Sequence, residues 1–127
     1  MAFDWAQFLS LAEFLKGKSD TGFAEEASAR CAIGRAYYAA FCHARDVAVK
    51  NGLVLRRTGE DHIGVRDHYK AKGMGVVATK LDALRQWRGA CDYTLEIGDM
   101  LKRKPPVLDL ALMHAKYILL TVKIGKG

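Results

Sequence analysis

No stretch of this sequence alternates apolar and polar residues at the period of a β-strand, so nothing in it predicts a sheet. No apolar run reaches the length that crosses a membrane, and no membrane partner is expected. The opening MAFDWAQFLSLAEFLKGK places acids at Asp4 and Glu13 and shows no basic leader or small-residue cleavage site, so no signal peptide is expected. Internal repeats and low-complexity tracts are also missing. The three cysteines, Cys31, Cys42 and Cys91, form no CxxC pair. They sit inside apolar helical patterns, which predicts cytoplasmic thiols packed as small hydrophobes. No two histidines, and no histidine with a cysteine, have the spacing of a zinc site. KGMG and the other glycines build neither a P-loop nor a dinucleotide fingerprint, and no nucleophile elbow or serine triad signature occurs. No metal and no cofactor are therefore expected.

What is present is helix. The 127 residues suit one domain, 1–127, with a single core, and half of them are hydrophobic. Lys and Arg number 20 against 14 Asp and Glu, a net charge of +6 that permits a polyanionic partner without requiring one. A first helix is predicted from Asp4 to Leu15, with Asp4 as N-cap and Gln7 at capping-box spacing, and with a stop at Gly17. A second, from Phe23 to Asn51, ends at Gly52. One of its faces carries Ala27, Cys31, Gly34, Tyr38, Phe41 and Ala48, the other Ala29, Ala36, Ala40 and Val47. A helix apolar on both sides is central in a bundle or covered by a second subunit, and its small residues point towards a homodimer.

Thr58 and Asp61 have capping-box spacing for a short third helix through Ala71, which KGMG breaks. A fourth runs from Val76 to Ile97 and ends at Gly98. DMLKRKPP reads as a basic loop, with Pro105–Pro106 leading into a last helix striped by Leu108, Ala111, Leu112, Ala115, Leu119 and Val122. Long helices on short connections predict an all-α, antiparallel up-and-down bundle of four to five helices.

The fourth helix carries one irregularity. Val77, Leu81, Leu84, Cys91 and Leu95 recur at spacings of four and three, and the residue that completes this stripe is Arg88. A charge in an apolar seam is costly unless paired. Asp92, one turn on, offers a bridge that orients helices. Alternatively the guanidinium faces a cleft or a dimer seam, where its fork fits a phosphate. Tyr93 points away from the stripe, as a packing residue, a surface phenol or a modified side chain. His62 follows Arg57 after four residues. An arginine to hold phosphate and a histidine to move a proton suit metal-independent RNA cleavage, whereas a histidine near a helix start also serves as a cap or a packed group. His43 and His68 stand alone, and His114 adjoins the last stripe as a core histidine.

GRAYYAAFCHARDVAVKNG, from Gly34 to Gly52, resembles the second-helix signature of HEPN domains in their small stand-alone prokaryotic branch. Arg35, Ala36, Tyr37, Tyr38, Ala39, Phe41, His43 and Ala44 fit it, with Gly34 where serine is usual. HIGVRDHY from His62 resembles the histidine-led helix that follows, and RGACDY the Arg-x-x-Ala-Asp-Tyr ending, with Cys91 in place of alanine. The resemblance covers about residues 30 to 98. It implies a helical bundle, commonly dimeric, with Arg88 in a polar cleft near the dimer seam. It also implies either an RNase or a binding module beside a nucleotidyltransferase, in defence or toxin–antitoxin systems. The catalytic signature of the family places a histidine on the same helix segment one to two turns after the arginine. After Arg88 there is only Asp92 and Tyr93. The expectation is therefore a non-catalytic module that binds RNA or a nucleotide through Arg88, Asp92, Tyr93, Arg57 and His62. The alternative is a metal-independent ribonuclease using His62 and Arg88.

Overall fold

The computed structural model describes residues 3–123. Among them are six helices and no strand: α1 (Ala6–Asp20), α2 (Glu25–Lys50), α3 (Asp61–Ala71), α4 (Gly75–Tyr93), α5 (Gly98–Lys102) and α6 (Val107–Thr121). They form a helical bundle around α2.

α1 begins at Ala6 with Trp5 as its N-cap, one residue later than the expected Asp4, whose carboxylate accepts the Ala6 N–H at 3.0 Å. The helix does not stop at Gly17. An exposed helical glycine costs only about 1 kcal/mol, and the Lys16–Asp20 pair spans the next turn at 2.6 Å. The stop comes at Gly22, where φ is 84° and the Phe23 N–H reaches back to the Lys18 carbonyl at 3.0 Å. Gly52 ends α2 in the same way, at φ 103°.

Both apolar sides of α2 are filled from within the chain. Ala29, Ala32, Ala36, Ala40, Ala44 and Ala48 are buried, and their small side chains let α1, α4 and α6 lie close against α2. Burial of α2 thus needs no second subunit. Two residues assigned to its apolar face, Ala27 and Cys31, are exposed, so Cys31 is a surface thiol while Cys42 and Cys91 are packed. One hydrophobic cluster runs from Ala12 to Val122.

The end of α4 departs most from the sequence expectation. The helix finishes at Tyr93, leaving Leu95 86% exposed while Ile97 takes the buried place. Arg30 of α2 explains it. Its guanidinium donates to the Cys91 carbonyl at 2.7 Å and the Leu95 carbonyl at 2.9 Å, satisfying acceptors freed at the helix end. Gly98 then opens α5 inside what reads as a loop. Arg30→Ala is expected to destabilise the fold by about 1–3 kcal/mol, with faster amide exchange confined to the α4–α5 junction. Unchanged exchange there would mean that the contact contributes nothing.

Candidate functional site

The first buried turns of α4, Val77, Leu81 and Leu84, carry the helix into the core, and Arg88 emerges on the same stripe at its edge. Its stem lies against Gly34 of α2, where an added Cβ would stand 3.9 Å from Arg88 Cγ. The side chain is 22% exposed, with the stem packed and the head at the surface. Nη1 donates to the Tyr38 hydroxyl at 3.1 Å and to Asp92 Oδ2 at 3.3 Å. The guanidinium also lies over the rings of Tyr37 and Tyr38, 5.2 and 5.6 Å from their centroids. Arg88 Nε is buried and has no hydrogen-bond partner.

Both readings of Arg88 therefore meet at one residue. The bridge to Asp92 exists, but a half-exposed pair of this kind is worth about 0.3–0.5 kcal/mol, little against a phosphate that takes two N–H donors. The surroundings are cationic. Arg35 lies 5.4 Å from the Tyr38 ring on α2, and Arg85 is exposed one turn before Arg88. Among the described residues neither Arg35 nor Arg85 pairs with a carboxylate.

His62 is placed differently. It is 5% exposed, and its ring stacks on Phe41 at 5.6 Å and on Tyr37 at 5.9 Å. Nε2 lies 3.2 Å from Asp82 Oδ1 and Nδ1 3.0 Å from the Tyr37 hydroxyl. A carboxylate only accepts, so Nε2 carries the proton and Nδ1 accepts from Tyr37. Burial lowers the His62 pKa; the bond to Asp82 opposes this, and the Arg85 charge adds to the lowering. The result is a neutral imidazole with both nitrogens engaged, tying α2, α3 and α4 together. Arg66 reaches the same Asp82 oxygen at 3.6 Å.

Arg57 belongs to another part of the surface. It adopts φ 57° in the loop between α2 and α3, a left-handed conformation that costs a non-glycine residue about 1–2 kcal/mol. Asp61 Oδ1 holds it there, accepting the Arg56 and Arg57 N–H groups at 3.0 and 3.2 Å. Arg57 lines a cleft with Trp5, Phe41, Lys50 and Leu55, and neither Arg88 nor His62 lines it. Tyr93 is 83% exposed at the end of α4, a surface phenol and not a packing residue. His43 meets the Val122 carbonyl, and His114 stacks on Trp87 at 5.3 Å.

The structure thus brings together Arg88 and Asp92, with His62 stacked on Tyr37, the ring that the Arg88 guanidinium also lies over. Arg57 and Tyr93 stand apart from that contact. The residues that build the site and that spacing does not single out are Tyr37, Tyr38, Asp82, Arg35 and Arg85. Arg35, Tyr37 and Tyr38 are signalled only by the Arg-Ala-Tyr-Tyr run on α2, and Asp82 and Arg85 by no pattern in the sequence. Among the described residues no group of three or more His, Cys, Asp or Glu could hold a metal. No helix among them is long and apolar enough to cross a membrane. Comparison with family models, curated proteins and solved structures finds no match to this chain.

Proposed function

We propose that this chain is an HEPN-like module that binds the phosphates of RNA or of a nucleotide on its Arg88 face, without cleaving them. The supporting observation is the arrangement around Tyr38: Arg88 and Arg35 gather there, with Asp92 as the carboxylate partner of Arg88, and Arg85 stands one turn before Arg88 on α4. Guanidiniums braced on aromatic rings suit a phosphate backbone, because the fork is oriented before the ligand arrives. The burial of His62 favours binding over cleavage, since a general base must reach the proton that it removes. The family resemblance adds a homodimer and a nucleotidyltransferase partner, in a defence or toxin–antitoxin setting.

Fluorescence anisotropy with a labelled single-stranded RNA, in EDTA, tests the reading. Arg88→Ala is expected to weaken binding by about 10- to 100-fold, the equivalent of one charge-assisted contact. Arg88→Lys should recover part of this loss, and raised salt should weaken the wild type steeply. Equal binding by wild type and Arg88→Ala would refute the assignment. Cleavage that persists in EDTA and disappears in His62→Ala would put the ribonuclease reading in its place.

A further inference from the structure

The cleft lined by Arg57 has a different character from the Arg88 face. Its volume is about 810 Å³, within the range of small-ligand sites. Phe3, Trp5, Phe41 and Leu55 give it apolar walls, and Lys50 and Arg57 line it with them. Its carboxylates are already engaged. Asp46 accepts the Trp5 indole N–H at 2.7 Å and pairs with Arg45 at 2.9 Å. Asp61 is bound to the loop backbone. Among the described residues Lys50 and Arg57 have no carboxylate partner. The cleft therefore combines an apolar wall with two cations that no carboxylate pairs with.

Arg57 adds a second observation. A left-handed backbone favours glycine, yet an arginine occupies it and an aspartate is spent on keeping it there. Backbone strain that the surroundings actively maintain is a mark of a functional position. The effect is to fix the loop that carries Arg57 in the lining of the cleft.

We propose that this cleft binds a nucleoside 5′-monophosphate, free or as the 5′ end of an RNA strand, with the base against the Phe3, Phe41 and Leu55 walls and the phosphate between Lys50 and Arg57. An uncharged aromatic compound would leave the two cations unused, and inorganic phosphate would leave the walls unused. The site is separate from the Arg88 face and does not depend on the function proposed there.

The Trp5 indole N–H reports on the cleft directly. The chain has two tryptophans, so its ¹⁵N–¹H spectrum holds two indole signals, assigned with Trp87→Phe. Titration with AMP is expected to shift the Trp5 signal saturably and leave that of Trp87 in place. Adenosine and inorganic phosphate should each need at least tenfold higher concentration, by the loss of one half of the recognition. AMP against 5′-phosphorylated tetra-adenylate distinguishes the two sources, the tighter binder identifying which is recognised. Lys50→Ala and Arg57→Ala should each raise the AMP midpoint about tenfold, as for a lost charge-assisted contact. Arg57→Gly should raise the melting temperature, by relief of the backbone, while weakening AMP to the same degree as Arg57→Ala. The proposal is overturned by no saturable Trp5 shift, by phosphate acting as well as AMP, or by an AMP midpoint unchanged in both alanine variants.

Discussion

Replacing Tyr37 by alanine is expected to destabilise the protein by about 3–5 kcal/mol, the range for removing a buried aromatic ring. The ring is 4% exposed and lies among four partners: the Arg88 guanidinium at 5.2 Å, Tyr38 edge-on at 5.4 Å, Phe41 stacked at 5.5 Å and His62 at 5.9 Å. Neither Arg88 nor His62 can collapse into the space that it leaves without losing another contact, because Arg88 is tied to Tyr38 and His62 to Asp82. Against a total stability of about 5–15 kcal/mol for a small domain, the loss is large enough to unfold part of the population at 37 °C. Tyr37→Phe separates packing from hydrogen bonding. It keeps the ring and strips the donor from His62 Nδ1, a buried acceptor, for about 1–3 kcal/mol. Urea unfolding of the two variants checks both figures. A phenylalanine variant as stable as wild type would mean that the Tyr37–His62 bond contributes nothing. An alanine variant no worse than the phenylalanine one would deny the ring its place as keystone.

Tyr37 also marks where reading the sequence reaches its limit. Arg88 is legible because it interrupts a repeating pattern, and a charge at a position that the helix period assigns to the core is visible without coordinates. The Tyr37–His62–Asp82 link is not. Its members come from three helices, 25 and 20 residues apart in the chain, and no local spacing encodes a contact that tertiary packing creates. The same division runs through the fold. The long helices follow from apolar periodicity, and Gly52 marks the end of α2 because caps are local chemistry. The end of α4 is set by Arg30 from a different helix, so extending the stripe to Leu95 was bound to fail. Gly98–Lys102 is too short for periodicity to register. Arg57 and His62 are close in sequence and matched a catalytic spacing. The fold turns one outward to a cleft and buries the other, because the loop between them ends and α3 begins.

Alkali should unfold this protein well before it would unfold a chain whose thiols and phenols are exposed. Burial pushes the Cys91 thiol from 9.0 up to about 11. It pushes the Tyr37 phenol from 10.0 up to about 12, although the Arg88 and Arg85 charges pull the other way. Burial raises Cys42 and Tyr69 as well. A group whose pKa is raised by folding stays protonated in the native state while the unfolded chain ionises. Above the unfolded value the native state therefore binds more protons, and stability falls as pH rises. Cys91 loses its contribution between about pH 9 and 11 and Tyr37 between about pH 10 and 12, each about 3 kcal/mol in all. Together they approach the whole stability of a small domain, about 5–15 kcal/mol. Urea midpoints measured from pH 7 to 12 should hold steady to about pH 9 and then decline, with tyrosinate absorbance rising in step with unfolding. Cys91→Ala should reduce the part of the decline that begins near pH 9, to which Cys42 also contributes, and leave the part that begins near pH 10. A midpoint flat to pH 11 would show that these groups ionise in place, and hence that the α2–α4 seam around Cys91 and Tyr37 admits water. In that case the half-buried Arg88 guanidinium would lose its dry support, and with it the orientation that favours a phosphate.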